Sequence, residues 1–75
     1  MLPRTEKNKL EFMVALIAEF AATYRIKQKQ AFNYLHHFKG IDFLQKHYDF
    51  MHTQSFEDVV EDLALICRRN GGQLA

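Results

Sequence analysis

The sequence predicts an all-α domain, a compact bundle of three main helices and one short helix. Apolar residues recur at three- and four-residue steps in every apolar segment, which is the spacing of one helix face. No segment alternates apolar and polar residues in the way a half-buried strand does. Because the chain has only three glycines and one proline, few residues interrupt the helical pattern.

Length and composition limit the possible architecture. The 75 residues and 8.9 kDa correspond to a single domain, residues 1–75, with an ordered core expected at about 7–70 and frayed termini. The chain is 48% hydrophobic and 25% charged, which excludes a disordered or low-complexity protein. A single cysteine, Cys67, excludes an internal disulfide framework.

The first apolar segment, about residues 7–24, is predicted to be a helix that is apolar around most of its circumference. Its predicted core face carries Leu10, Met13, Ile17, Phe20 and Tyr24. The only polar strip is thin and rich in alanine, and it consists of Glu11, Ala15, Ala18, Glu19 and Ala22. Such a helix is usually central to a bundle or buried against a partner. The predicted interface therefore comprises four residues of this strip: Ala15, Ala18, Glu19 and Ala22.

Two further helices are predicted on either side of Gly40. The second segment, about residues 27–39, has an apolar stripe of Ala31, Tyr34, Leu35 and Phe38. Gly40 is expected to end this helix in the left-handed conformation that glycine adopts readily. A short third helix follows, from residue 41 to about 47, with Ile41 and Leu44 facing inward. Residues 48–54 are predicted to form an irregular connection that turns Phe50 and Met51 inward.

The fourth segment carries the clearest helical signals. Ser55 is a favourable N-cap, and Asp58 stands three residues later, at the second position of a capping box. The predicted inward stripe consists of Phe56, Val59, Val60, Leu63 and Ile66. Two arginines precede Asn70-Gly71-Gly72, so the helix is expected to end there with charges that complement its dipole.

The net charge of +1 conceals an uneven distribution of charge. Residues 25–52 contain five Lys or Arg, two acids and all four histidines, whereas residues 53–67 contain four acids and no base. The simpler interpretation of the acids is a solvated helix face. The alternative is that oppositely charged patches serve docking or self-association.

The basic segment raises an alternative function, a nucleic-acid-binding regulator. The second and third helices, joined at Gly40, could imitate a helix-turn-helix. The basic patch that would contact phosphates consists of Arg25, Lys27, Lys29, Lys39 and Lys46. The third helix, however, is short and apolar and lacks the row of Arg, Asn and Gln expected of a base-reading helix. The acidic fourth helix would also repel a nearby duplex.

The sequence does not favour an enzyme or a metalloprotein. The histidines and the cysteine include no pair at the i, i+4 spacing of helical zinc ligands: His36, His37, His47, His52 and Cys67. His36 and His37 are expected to be exposed, and His52 to be partly buried and hydrogen-bonded. Cys67 is expected to be a core thiol. No glycine-rich phosphate loop exists, so we expect no catalytic residue, cofactor, metal or small-molecule substrate.

Aromatic residues are numerous for so small a chain, with seven Phe and three Tyr. An aromatic core that compensates for small size explains them simply. The alternative is that some lie at the surface and form a homodimer interface or a groove for a protein partner. Together with the apolar first helix, this content predicts a non-enzymatic protein-interaction module.

The segment from residue 48 to 55 resembles a family of small bacterial proteins known only as a domain of unknown function. The similarity rests on Met51-His52-Thr53-Gln54, in a pattern of Leu or Met before His-Thr-Gln, followed by Val59-Val60-Glu61-Asp62-Leu63. It extends from about Leu10 to Leu65. The signature residues His52, Thr53 and Gln54 are then either structural, capping the last helix and satisfying backbone groups, or a partner-contact surface.

The resemblance implies a small helical protein without assigned catalytic residues. Members of that family are often encoded beside, or fused to, proteins resembling ADP-ribosyltransferases. This association implies an accessory or antitoxin-like partner of a neighbouring gene product, as in a toxin–antitoxin pair.

A cytoplasmic location is the simplest expectation from the sequence. The polar start from Met1 to Lys7 lacks the apolar run of a signal peptide. The longest apolar run, residues 12–18, is too short to cross a bilayer, which needs about 20 residues. A single free thiol fits a reducing compartment.

Overall fold

The computed structural model describes residues 4–73 as five helices joined by short turns. They are α1 (Arg4–Tyr24), α2 (Gln28–His37), α3 (Gly40–Lys46), α4 (Tyr48–Met51) and α5 (Phe56–Arg69). No strand occurs within this range, and the predicted all-α class is confirmed. Both α1 and α3 pack against α2 and α5. The longest dimension is 38 Å, and α1, at about 1.5 Å per residue, is about 31 Å long.

Every helix contributes to one hydrophobic core. The largest fully buried side chains are Leu16, Phe20, Leu35, Leu44, Met51, Val59, Leu63 and Cys67. Among the residues whose side chains are described, 7–73, no polar or charged side chain is buried. The helices are therefore held together by apolar packing, at about 1.5–3 kcal/mol for each large side chain taken out of water.

The two ends of α5 are formed by local sequence signals. The Asp58 backbone N–H donates to Ser55 Oγ at 3.2 Å, so Ser55 is the N-cap. At the other end, Gly71 has a φ of +91°. The N–H groups of Gly71 and Gly72 donate to the carbonyls of Arg68 and Cys67, at 3.1 and 2.9 Å. This is a Schellman motif, and both predicted ends of the helix are confirmed.

Gly40 does not play its predicted part. Lys39 takes the left-handed conformation, with a φ of 69°, and Gly40 is the first residue of α3. A Cβ atom on Gly40 would lie 2.8 Å from Leu35 Cδ2 and 3.0 Å from Cys67 Sγ. The residue is therefore glycine because α2 and α5 approach its Cα closely, not because a helix must end there.

The buried face of α1 differs from the predicted one. Leu16 and Phe20 are completely buried, whereas Leu10, predicted to face the core, is 53% exposed. Met13 and Ile17 are half-buried beside the core. The helix carries several overlapping apolar stripes, and the positions of α2 and α5 decide which of them is buried.

The connection before α5 is also more regular than predicted. Tyr48–Met51 form one helical turn, α4. Met51 faces inward and is 2% exposed, as predicted, but Phe50 is 63% exposed. Neighbouring residues of a helix point about 100° apart, and with Met51 directed into the core the Phe50 side chain points toward solvent.

The limits of the helices otherwise lie close to those predicted. α2 ends two residues earlier than expected, and α1 begins at Arg4, three residues earlier. Of the termini expected to fray, residues 1–3 and 74–75 lie outside the described residues. Phe56, predicted to face inward, is 37% exposed at the edge of the core, while Val59, Val60 and Leu63 are buried.

Candidate interaction surface

One side of α1 presents a continuous apolar surface to solvent. Its large members, Leu10 and Val14, are 53% and 58% exposed. Three alanines continue it, with Ala15 and Ala22 exposed and Ala18 half-buried. Residues 10, 14, 18 and 22 follow one another at four-residue steps and therefore lie along one side of the helix. We call these five residues the α1 stripe; it is about 18 Å long.

The α1 stripe has a charged residue near each end. Glu11 is exposed and lies on the stripe itself, three and four residues before Val14 and Ala15. Arg25 is exposed and follows the last residue of α1, in a left-handed conformation with a φ of 56°. Ala18 is seven residues from each of these charges. The surface therefore has an acidic end, an apolar middle bordered by the exposed Glu19, and a basic end.

The residues of the predicted interface lie mostly exposed on α1, and the exposed apolar surface extends beyond them; the interface itself stays a prediction. Three of its residues, Ala15, Glu19 and Ala22, are exposed, and Ala18 is half-buried. Sequence reasoning missed the two largest side chains of the surface, Leu10 and Val14. Leu10 had been assigned to the core face. The signal that could have found them is their four-residue spacing with Ala18 and Ala22.

The signature residues organise the turn between α4 and α5. His52 is exposed, not partly buried as predicted. Its ring stacks on Tyr48 with centroids 4.8 Å apart, and its Nδ1 lies 2.9 Å from the Tyr48 carbonyl oxygen. Because a carbonyl oxygen only accepts, Nδ1 is the donor of this hydrogen bond. Thr53 Oγ1 donates to the Phe50 carbonyl at 2.7 Å.

These contacts have a structural effect. The carbonyl oxygens of Tyr48 and Phe50 also accept from the backbone N–H groups of His52 and Thr53, at 3.0 and 3.3 Å. Each side chain therefore adds a second donor to a carbonyl near the end of α4. Ser55, not Thr53, caps α5. Gln54 is half-buried between them.

An aromatic cluster attaches the first half of α1 to this turn. The Phe12 ring lies 5.6 Å from the rings of both Tyr48 and Phe56. Lys9 Nζ lies 5.7 Å from the centre of the Tyr48 ring, in a cation–π arrangement. Aromatic pairs of this kind contribute about 0.5–1.5 kcal/mol beyond the area they bury. Phe12 therefore faces the body of the protein and leaves the α1 stripe on the other side of the helix.

The predicted basic patch is exposed but spread out. All five of its residues are exposed: Arg25, Lys27, Lys29, Lys39 and Lys46. Lys29 lies in the first turn of α2 and Lys39 follows its end, so α2, about 15 Å long, separates them. α3, which would be the base-reading helix of a helix-turn-helix, buries Ile41 and Leu44 in the core.

The acidic residues of α5 lie on its solvent side. Glu57, Asp58, Glu61 and Asp62 are all exposed, which agrees with a solvated helix face. Two of them border an open cleft of about 340 Å³ between the end of α1 and the start of α5. Its lining residues are Thr23, Tyr24, Glu57, Val60 and Glu61.

The thiol of Cys67 is enclosed in the core. It is completely buried, as predicted, and desolvation raises its pKa to about 11. A thiol with this pKa is a poor nucleophile at neutral pH. Within the described residues, no group of three or more His, Cys, Asp or Glu side chains is placed to hold a metal ion.

Three of the four histidines contact an aromatic ring one helical turn earlier; two of these pairs are stacked and the Phe43–His47 pair is tilted by 46°. The pairs are Phe32–His36, Phe43–His47 and Tyr48–His52, with centroid distances of 5.8, 4.5 and 4.8 Å. His36 and His37 are exposed, as predicted.

In the part of the chain that the structure describes, no helix combines the length and apolar character needed to cross a membrane.

Residues 11–70 match the family described as "Protein of unknown function (DUF3791)". The chain belongs to this family. The resemblance to a domain of unknown function is thereby confirmed. No curated protein and no solved structure matches the chain.

The DUF3791 match places most of the candidate surface inside the family domain. It includes the turn at His52 to Gln54, all of α2 to α5, and α1 from Glu11 onward. Four residues of the α1 stripe fall within it, and Leu10 lies one residue before it. The stripe is therefore part of the family domain itself.

Proposed function

We propose that this DUF3791 protein is a non-enzymatic, cytoplasmic protein-interaction module that docks through the α1 stripe. One observation carries the proposal. Leu10 and Val14 are more than half exposed in the helix whose opposite side supplies Leu16 and Phe20 to the core. An apolar helix face left in water beside a complete core is characteristic of an interaction surface.

The energetics of such a surface are adequate for docking. Removing apolar area from water contributes about 25 cal/mol per Å², so a few hundred Å² contribute several kcal/mol. Association costs a comparable amount of translational and rotational freedom. The α1 stripe alone therefore supports a reversible contact, and polar groups at its ends, such as Glu11 and Arg25, are needed for specificity.

Two kinds of occupant are consistent with this function. The module acts as a homodimer or as the small accessory, antitoxin-like partner of a neighbouring gene product. The resemblance found at Met51-His52-Thr53-Gln54 supports the second, because its bacterial members are often encoded beside ADP-ribosyltransferase-like proteins. His52, Thr53 and Gln54 would then contribute to the contact, while His52 and Thr53 also hydrogen-bond within the turn.

The test measures association of the wild type and of Ala18→Glu, which places a charge in the middle of the stripe. Analytical ultracentrifugation reports self-association, and co-expression with the adjacent gene product followed by co-purification reports binding to that partner. Asn33→Glu, at an exposed position of α2, adds the same charge elsewhere and is the matched control. We expect Ala18→Glu to abolish at least one association that Asn33→Glu retains. A wild type that neither self-associates nor binds its neighbour would refute the proposal.

The same protein preparation distinguishes the alternative, a nucleic-acid-binding regulator that uses the basic patch. A docking module should elute from heparin at low salt. A duplex binder should show an affinity that falls steeply with salt. Its affinity should also drop in Lys29→Glu, which reverses an exposed charge, and remain unchanged in Ala18→Glu.

A further inference from the structure

We propose that the occupant of the α1 stripe is the α1 stripe of a second copy, antiparallel and crossing at Ala18. Glu11 of each chain then pairs with the partner's Arg25. The inference rests on the proposed function, since it names the partner of the same surface.

The spacing of the residues along α1 fixes this arrangement. In an antiparallel pair, residues equally far from the crossing point in opposite directions lie side by side. Val14 and Ala22 are each four residues from Ala18, so each Val14 packs on the partner's Ala22. Glu11 and Arg25 are each seven residues away, about 10.5 Å along the axis. The two-fold symmetry therefore forms two apolar contacts and two ion pairs from one self-complementary surface.

Charge excludes the nearest competing arrangements. In a parallel pair, Glu11 would lie beside the same residue of the second copy, and Arg25 likewise. In an antiparallel pair that crosses at Ala15, Glu11 would lie beside the partner's Glu19, since both are four residues from Ala15. All these contacts join like charges, which repel. Crossing at Ala22 would also join opposite charges, because Glu19 and Arg25 are each three residues from it. That register would leave Val14 opposite position 30 of the partner, beyond the end of α1. Crossing at Ala18 brings opposite charges together at both ends and also covers Val14.

The size of the side chains also suits a crossing at Ala18. Packed helices lie 8–10 Å apart, depending on the side chains at the contact, and alanine permits the short end of that range.

The smallest specific interfaces bury about 600 Å² of each partner, roughly a tenth of the 5534 Å² that this chain exposes. A dimer of that size is weak and reversible, so its formation should depend on concentration in the micromolar range.

A charge exchange tests the pairing. Glu11→Lys places a lysine beside the partner's Arg25, and Arg25→Glu places a glutamate beside the partner's Glu11. Each variant alone should dimerise about tenfold more weakly than the wild type, because both ion pairs become repulsive. An equimolar mixture of the two variants should restore association as a heterodimer, in which both ion pairs are again attractive. The double variant Glu11→Lys/Arg25→Glu should self-associate as the wild type does.

Sedimentation velocity from about 10 to about 500 µM measures these changes. Glu61→Lys and Lys29→Glu are the matched controls, because they make the same changes of charge at exposed positions outside the stripe. Both should dimerise like the wild type. If Arg25→Glu loses its helical circular dichroism, Arg25→Asn removes the charge with a residue that tolerates the left-handed backbone. Arg25→Asn should also weaken the dimer.

The outcomes separate this inference from the function on which it rests. A monomeric wild type that binds its neighbour, and loses that binding in Ala18→Glu, overturns the homodimer and leaves the interaction module standing. A wild-type dimer that Ala18→Glu does not weaken overturns the role of the α1 stripe in dimerisation. A mixture of the two charge variants that stays monomeric overturns the antiparallel pairing.

Discussion

α5 and α1 are both built around apolar residues, but they differ in how those residues are distributed. α5 has a polar side with Glu57 and Glu61 and one apolar side, of which Val59 and Leu63 are fully buried. α1 is apolar in nearly every direction, and it buries Leu16 and Phe20 while exposing Leu10 and Val14. A helix with one apolar face has one stable orientation against a core, whereas a helix with several has more than one.

This difference explains which features could be predicted. The orientation of α5 follows from its own sequence. The orientation of α1 follows from the helices that pack on it, α2 and α5, because Phe20 can reach the core together with either Leu10 or Leu16. The apolar residues that are left over in α1 form the candidate interaction surface.

The largest expected effect compares two leucines of α5. Leu63→Ala should lower the free energy of unfolding by about 2–5 kcal/mol, because Leu63 is fully buried and its loss leaves a cavity. Leu65→Ala, two residues away and 45% exposed, should cost less than about 1 kcal/mol. Urea denaturation of both variants checks this. Similar losses for the two leucines would show that α5 does not have the orientation described.

The next effect compares two glycines, one at a close approach and one in a turn. Gly40→Ala should cost about 1–3 kcal/mol, because the new Cβ meets Leu35 and Cys67 and forces α3 away from its neighbours. Gly71→Ala meets no atom within 4 Å. This substitution should lower the free energy of unfolding by only about 1 kcal/mol, because alanine disfavours a φ of +91°. Thermal denaturation compares the two; an equal or smaller loss for Gly40→Ala would contradict the steric explanation.

Local sequence signals predicted the two ends of α5, whereas the role of Gly40 is set by packing between helices. Ser55 and Gly71 act through hydrogen bonds within a few residues, so the sequence contains the whole interaction. Gly40 acts through contacts with Leu35 and Cys67, and the latter is 27 positions away. Its sequence context was the same as that of a helix-ending glycine, and the left-handed residue proved to be Lys39.

The third effect depends on pH and on the side of α5 that faces the core. Burial raises the pKa of Cys67 from 9.0 to about 11, so the unfolded chain loses the thiol proton at a lower pH than the folded chain does. The unfolded state is therefore favoured as pH rises from 9 to 11. By pH 10 the wild type should lose about 1 kcal/mol more stability than Cys67→Ala.

Urea denaturation of both proteins at pH 8, 9 and 10 measures this difference. Tyr34, whose pKa burial also raises, is present in both proteins, so its contribution largely cancels. Parallel stability curves would show that Cys67 is accessible to water in the folded protein.

The candidate surface was only partly predictable, for a related physical reason. Ala15, Ala18 and Ala22 are small and tolerate either environment, so their pattern indicated a possible interface. Leu10 was assigned to the core because burial is the usual state of a leucine in an apolar stripe. That a large side chain stays in water depends on the limited number of helices available to cover α1.

The smallest expected effect concerns the exposed side of α1 and separates folding from association. Val14→Gln should change the free energy of unfolding by no more than about 0.5 kcal/mol, because Val14 is 58% exposed. Glutamine also has a somewhat higher helix propensity than valine. Leu16→Ala, two residues further on and fully buried, should cost about 2–5 kcal/mol. Both are measured by urea denaturation below about 10 µM, where a weak dimer dissociates.

Above that concentration, Val14→Gln should weaken self-association, because Val14 packs on the partner's Ala22 in the proposed dimer. A residue that matters for association and not for folding belongs to an interaction surface. If Val14→Gln instead cost as much stability as Leu16→Ala, Val14 would belong to the core. α1 would then, like α5, have a single buried side, and the surface proposed for docking would not exist.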